Sequence, residues 1–186
     1  MKKVRFFIYF VLAMFMFGLS GCSGVHYEVK PTPLKSGKST YSVNKFDLTL
    51  DESRSTIPEG DQYLNQEELK ESFIGFFTKH LKEQKIYGDE YKINVKMLYQ
   101  RIFYFEQFGG NSIVTPNFQY YVEIVDSSDK LIASYSIPMS NIKRSVFVQL
   151  AHTTEQLFGQ WDHEDEPIDI EFLSKIIVKE IKKLGK

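Results

Sequence analysis

Three groups of residues carry the chemistry open to this chain. The first is the acidic stretch Asp162-His163-Glu164-Asp165-Glu166, which runs into Pro167. Oxygen-rich loops hold calcium, and a histidine set among acids can hold zinc. Two of the carboxylates could also serve as acid and base, but nothing in the spacing singles out a pair. The stretch lacks EF-hand spacing, and Pro167 marks it as a solvated turn. The second group is the aromatic run Phe103-Tyr104-Phe105-Glu106-Gln107-Phe108-Gly109-Gly110. It ends in a Gly-Gly-Asn turn signal, so Phe103, Tyr104, Phe105 and Phe108 crowd a hairpin tip that could form a partner patch or dip into lipid. The third is Cys22, the single thiol. One cysteine allows neither a disulfide framework nor a thiolate metal site.

Other motifs of catalysis are missing from the sequence. It holds no Gly-rich phosphate loop, no GxSxG elbow and no HExxH. His26, His80, His152 and His163 are not paired at ligand spacing, and His80 is expected on the rim of a helix. The expectation is therefore a chain that is not an enzyme, with no cofactor and no metal.

The surroundings of Cys22 are more specific. Met1-Lys2-Lys3-Val4-Arg5 is basic, and an unbroken apolar run follows from Phe6 to Phe17. These are the first two parts of a secretory signal. Twelve helical residues span about 18 Å, short of the about 30 Å hydrocarbon core of a bilayer. The segment Leu19-Ser20-Gly21-Cys22 then resembles the bacterial lipobox. That resemblance implies recognition of Leu19, Ser20 and Gly21 by the signal peptidase, cleavage before Cys22 and a diacylglyceryl thioether on its sulfur, with acylation such as palmitate on the new amino group. Each buried methylene contributes about 0.8 kcal/mol, so two or three chains on one residue anchor durably without spanning the membrane. Ser23, not Asp, follows the cysteine. Resemblance to enteric lipoproteins then implies the outer membrane, facing the periplasm.

On this reading residues 1–21 are the signal, 22–40 a lipidated cysteine with a flexible tether, and 41–186 a single domain. Losing Lys2, Lys3 and Arg5 from the 23 basic residues leaves 20 against 24 acidic ones, a net of −4. That balance argues against a nucleic-acid partner. The tether reading rests on Pro31, Pro33, Gly24 and Gly37 in a stretch without periodicity.

Alternation and helical spacing give the elements. Tyr41 to Leu50 reads as a strand with a bulge near Asn44 that reconciles its two parities. Asn65 with Glu68 forms a capping-box signal, and Leu69, Phe73, Phe76, Phe77 and Leu81 a helical stripe ending before Gly88. Tyr91 to Tyr99 is the cleanest strand and runs on to Phe105. Strands around Phe118–Ile124 and Leu131–Ile137 follow, as the rest of a meander. Residues 141–161 lean to helix. Asp169 is placed to cap a last helix with the stripe Ile170, Leu173, Ile177, Ile181 and Leu184.

This order predicts an α+β domain: one antiparallel sheet of strand, helix, three-strand meander and helix, with two or three helices on one face. The order and the lipobox resemble small periplasmic lipoproteins of lipopolysaccharide assembly, auxiliary lipoproteins of ABC-type lipid transport, and the amino-terminal domain of the Tol translocation protein. The resemblance implies a membrane-anchored, non-catalytic interaction or assembly component of an envelope protein complex. The alternative is a periplasmic lipid or small-ligand carrier, which requires an apolar cavity between sheet and helices. A hydrolase using the loop around His163 is a third reading.

Overall fold

The structure is a computed structural model, and it describes residues 25–52, 63–105, 111–141 and 165–186. These form five strands and two helices: β1 (Val25–Glu28), β2 (Tyr41–Asp51), α1 (Gln66–Glu83), β3 (Tyr91–Phe105), β4 (Asn111–Val125), β5 (Leu131–Asn141) and α2 (Glu166–Lys182). The strands form one sheet in the order β1-β5-β4-β3-β2. The expected helical segment at 141–161 lies outside the described residues, apart from Asn141 at the end of β5.

The α+β class is as expected, but the sheet is mixed rather than antiparallel, and its plan is not the simple strand-and-meander one. β2 pairs with β3 in parallel, and the other neighbours pair antiparallel. The physical reason is the connection. A strand, a helix laid back across the sheet and a second strand form a crossover unit, which returns the chain in its starting direction. The bulge expected near Asn44 appears as a shift in register between Val43 and Lys45. A second shift lies between Gln100 and Ile102, opposite Thr115 and Pro116 of β4. A bulge is where a proline can sit inside a sheet without removing a ladder hydrogen bond. Pro116 thus allows β4 to start at Asn111, seven residues before the expected Phe118.

The tether expectation also needs correction. Residues 25–40 are packed on the fold. β1 pairs with β5 from Val25↔Ser136 to Glu28↔Ala133. Leu34 is buried in the core, and the backbone groups of Ser36 and Gly37 reach the carboxyl end of the chain, Gly37 N–H donating to the Lys182 carbonyl at 2.9 Å. The prolines here shape a strap that lies against α2.

Both helices cover one face. Asn65 caps α1 as its type predicts: its side chain accepts from the Glu67 and Glu68 N–H groups, and Glu68 accepts from the Asn65 N–H at 2.8 Å. Leu69, Phe73, Phe77 and Leu81 are fully buried. The helix ends at Glu83, before Gly88; Gly88 is needed instead because a Cβ there would meet Thr40 Oγ1 at 2.7 Å. α2 starts at Glu166, three residues ahead of the expected cap at Asp169. Pro167 sits in its first turn, where a missing N–H costs nothing. The stripe Ile170, Leu173, Ile177, Ile181 and Leu184 is buried as expected. Against it stand Ile93, Val95 and Tyr99 of β3, Tyr120, Val122 and Ile124 of β4, and Ala133 and Tyr135 of β5. Tyr135 also donates its hydroxyl to the Ile177 carbonyl at 2.9 Å, which satisfies a buried O–H while joining sheet to helix.

Candidate functional site

The one cluster of chemistry-bearing side chains buried in the described residues lies where β2, β3, the entry to α1 and the start of α2 converge. Arg101, on the core face of β3, is only 2% exposed, and Glu166 at the head of α2 is 0% exposed. The guanidinium grips the carboxylate with two bonds, Nε to Oε1 and Nη2 to Oε2, each 2.8 Å. Its Nη1 also donates to Glu52, and Nη2 to the Leu64 carbonyl at 2.6 Å. The Tyr63 ring lies over the cation, 5.1 Å from centroid to Cζ. Glu166 Oε2 accepts in turn from the Leu64 N–H at 3.2 Å. Burial pushes the Glu166 pKa above its ordinary carboxylate value, and the Arg101 bonds work against that rise. Burial would lower Arg101, but its bonds to Glu166 and Glu52 leave it raised.

A planar cation held by two carboxylates and a carbonyl is chemically closed. Four of its five N–H donors are bonded, and both Glu166 oxygens accept. The arrangement ties four chain segments together, with Glu166 sealed from solvent and Glu52 partly exposed. Glu166 was expected in a solvated turn, and the structure places it in the core. The signal that could have located it is Arg101, a charge on the core parity of the cleanest strand, which demands a buried acid.

The rest of the acidic stretch does not assemble a site. Asp162, His163 and Glu164 lie outside the described residues. Among the described residues no group of three or more His, Cys, Asp or Glu side chains is placed to hold a metal ion. His80 is buried at 3% exposure rather than on the helix rim, with Nδ1 2.8 Å from Glu83 Oε2. His26 stacks on Tyr135 and approaches Glu180 at 3.4 Å. His152 lies outside the described residues, as do Leu19, Ser20, Gly21, Cys22 and Phe108.

The aromatic hairpin is described in its backbone. β3 continues to Phe105, and the pairs Ile102↔Val114, Phe103↔Ile113, Tyr104↔Ser112 and Phe105↔Asn111 extend the β3–β4 ladder. β2 stops pairing at Asp51↔Gln100 and β5 at Asn141↔Asn117. Beyond those rows β3 and β4 form a two-stranded ribbon with no further strand beside it among the described residues.

The sheet face opposite the helices carries two shallow open grooves. One is lined by Asp47, Thr49, Lys96, Leu98, Gln119 and Tyr121, the other by Asn44, Lys45, Lys92, Asn94, Glu123 and Asp129. Their charges are mixed. No helix among the described residues is long and apolar enough to cross a membrane.

No protein-family model matches the chain, and no curated protein does. Among solved structures it is similar to a minor lipoprotein from Acinetobacter baumannii, at 13% identity over 74% of this chain and 91% of that one, with a TM-score of 0.34. It is also similar to a homologue of a neuraminyllactose-binding hemagglutinin from Helicobacter pylori, at 17% identity over 86% and 90%, with a TM-score of 0.37. A third similar structure is the PelC dodecamer from Paraburkholderia phytofirmans, at 9% identity over 88% and 100%, with a TM-score of 0.33. Likeness at these scores carries no argument about function.

Proposed function

We propose that this chain is a lipoprotein anchored through Cys22 and that it works by contact, as a non-catalytic component of a cell-envelope complex. The outer membrane, on its periplasmic side, is the location this reading favours. The observation that carries it is the β3–β4 ribbon. Among the described residues both edges of this ribbon are unpaired, and a two-stranded ribbon is marginal by itself. One built from Ile102, Phe103, Tyr104 and Phe105 is suited to being completed by another surface. The closed state of the Arg101 cluster supports the non-catalytic half of the reading.

The anchor gains a short reach from the position of β1. Val25 is three residues past Cys22, so an extended linker spans roughly 10 Å instead of the roughly 60 Å of an eighteen-residue tether. The domain would then sit close to the bilayer, and partners would be embedded in it or lie against it. A carrier role draws less support. The layer between sheet and helices is filled by Phe73, Phe77, Tyr99, Tyr120 and Tyr135, all buried.

Two experiments test the proposal. Cys22→Ser should move the protein from the membrane pellet to the soluble fraction; equal pelleting would remove the anchor. Crosslinking in intact cells followed by purification should recover envelope proteins with the native chain. Phe103→Asp with Phe105→Asp should lose them while thermal stability is retained. Unchanged recovery with the ribbon altered would remove the contact site.

A further inference from the structure

The outer edge of β2 is built to receive another strand. Each residue of a strand turns its N–H and C=O to one side, alternating along the chain. At one end of β2 the outward groups belong to Tyr41, whose N–H donates to Ile86 and whose carbonyl accepts from Gly88. At the other end Leu50 N–H points outward, to Gln66 Oε1 at 3.0 Å. By the same alternation Leu48 and Phe46 point outward too, and on that side they have no partner among the described residues. Among the described residues the middle of the edge is therefore uncapped, although both of its ends are tied down.

The side chains flanking Phe46 are self-complementary. Lys45 and Asp47 are both exposed, both on the face opposite the helices, and neither is in an ion pair among the described residues. We propose that β2 pairs antiparallel with β2 of a second copy of this chain about a two-fold axis at Phe46, joining two five-stranded sheets into one. In that register Phe46 faces its own mate as a hydrogen-bonded pair. Lys45 then stands opposite the mate's Asp47, and Asp47 opposite the mate's Lys45. Both are non-hydrogen-bonded pairs, where Cα atoms approach to about 4.5 Å and side chains meet most closely. An isologous contact of this kind closes on itself.

Two further features fit. α1 lies over β2, as the Phe46 contacts with Phe73 and Phe77 place it. Its flank away from α2 carries the half-buried Lys70, Ile74 and Thr78, so the two-fold axis sets two α1 helices side by side with Ile74 in the seam. The other is the row of β1. Val25 faces Ser136, which faces Tyr121, then Lys96, then Asp47, so each Val25 would lie at the far edge of its own sheet, one residue row along the strands from the axis. The bulge at Asn44 and the edge lysine are devices that prevent indiscriminate pairing. With Asp47 beside them, they leave one favoured register.

The test is the oligomeric state of the full chain in detergent, by sedimentation velocity. The native chain should be a dimer. Lys45→Asp and Asp47→Lys each set like charges opposite one another twice, and each should raise the dimer dissociation constant more than roughly tenfold. An equal mixture of the two variants restores opposite charges at both positions and should dimerise again, as should the doubly swapped chain. Both positions are exposed, and recovery in the mixture shows that each variant is folded. A monomeric native chain, single variants that stay dimeric, or a mixture that stays monomeric would each overturn the proposal. The inference is independent of the anchor and the ribbon, whose failures are read by fractionation and by crosslinking.

Discussion

Two glutamates of α2, five residues apart, each meet a cation from elsewhere in the chain, and burial makes them opposites. Glu166 is sealed with Arg101 in the core. Glu171 meets Lys79 of α1 at 2.6 Å, with the two side chains 38% and 51% exposed. The buried pair had to be removed from water, so its geometry must be complete, and the bonds to Glu52 and Leu64 complete it. The exposed pair is screened by solvent and contributes little. Residue type alone therefore does not reveal which acid matters; the parity of its partner does.

The largest effect expected from this contrast is at the buried end. Glu166→Gln leaves Arg101 buried against a neutral amide and should cost about 3–5 kcal/mol by urea denaturation. Arg101→Met with Glu166→Leu should cost less than Glu166→Gln alone, because no charge is stranded. A double variant worse than the single one would show that the network, not the stranded charge, holds the segments.

The two ends also differ in the sign of their pH dependence. Glu166 is raised by burial, so its contribution is complete below the ordinary value of 4.5 and is lost as pH rises through its folded value. Glu83, beside the exposed pair, is lowered, first by the hydrogen bond from His80, so its contribution is present above 4.5 and is lost as pH falls through its folded value. Denaturation midpoints followed against pH should flatten on the high side in Glu166→Gln and on the acid side in Glu83→Gln. The same change in both variants would dissolve the distinction.

Smaller effects complete the ranking. Asn65→Ala removes the side-chain half of the capping box, leaving the residue 65 N–H to Glu68, and should cost about 1 kcal/mol. Lys79→Ala should leave the midpoint indistinguishable from the native one, since its side chain is half exposed. A clear loss there would mean that the exposed pair acts in concert with His80.

Much of this architecture was legible because single side chains announced it. Alternation from Tyr91 to Tyr99 and the stripe from Leu69 to Leu81 marked the core faces, and Asn65 with Glu68 marked a helix start. What was missed has physical causes. The parallel pairing of β2 and β3 is set by a connection, which periodicity does not encode, although the order of strand, helix and strand implied it. Pro31 and Pro33 suggested a free tether because proline signals a break, yet a strap anchored through Leu34 and the Lys182 carbonyl uses the same stiffness. Pro116 hid the first half of β4 because a bulge is not visible in one strand alone. For the site, the proposal at Cys22 rests on its sequence neighbours alone, whereas Glu166 was read as solvated because its partner is 65 residues away.

The account rests on residue 22. Mass spectrometry of the amino-terminal peptide from the membrane-bound protein should find a chain that begins at Cys22 and carries a diacylglyceryl group on its sulfur. A free thiol there, or a chain that retains residues 1–21, would contradict it.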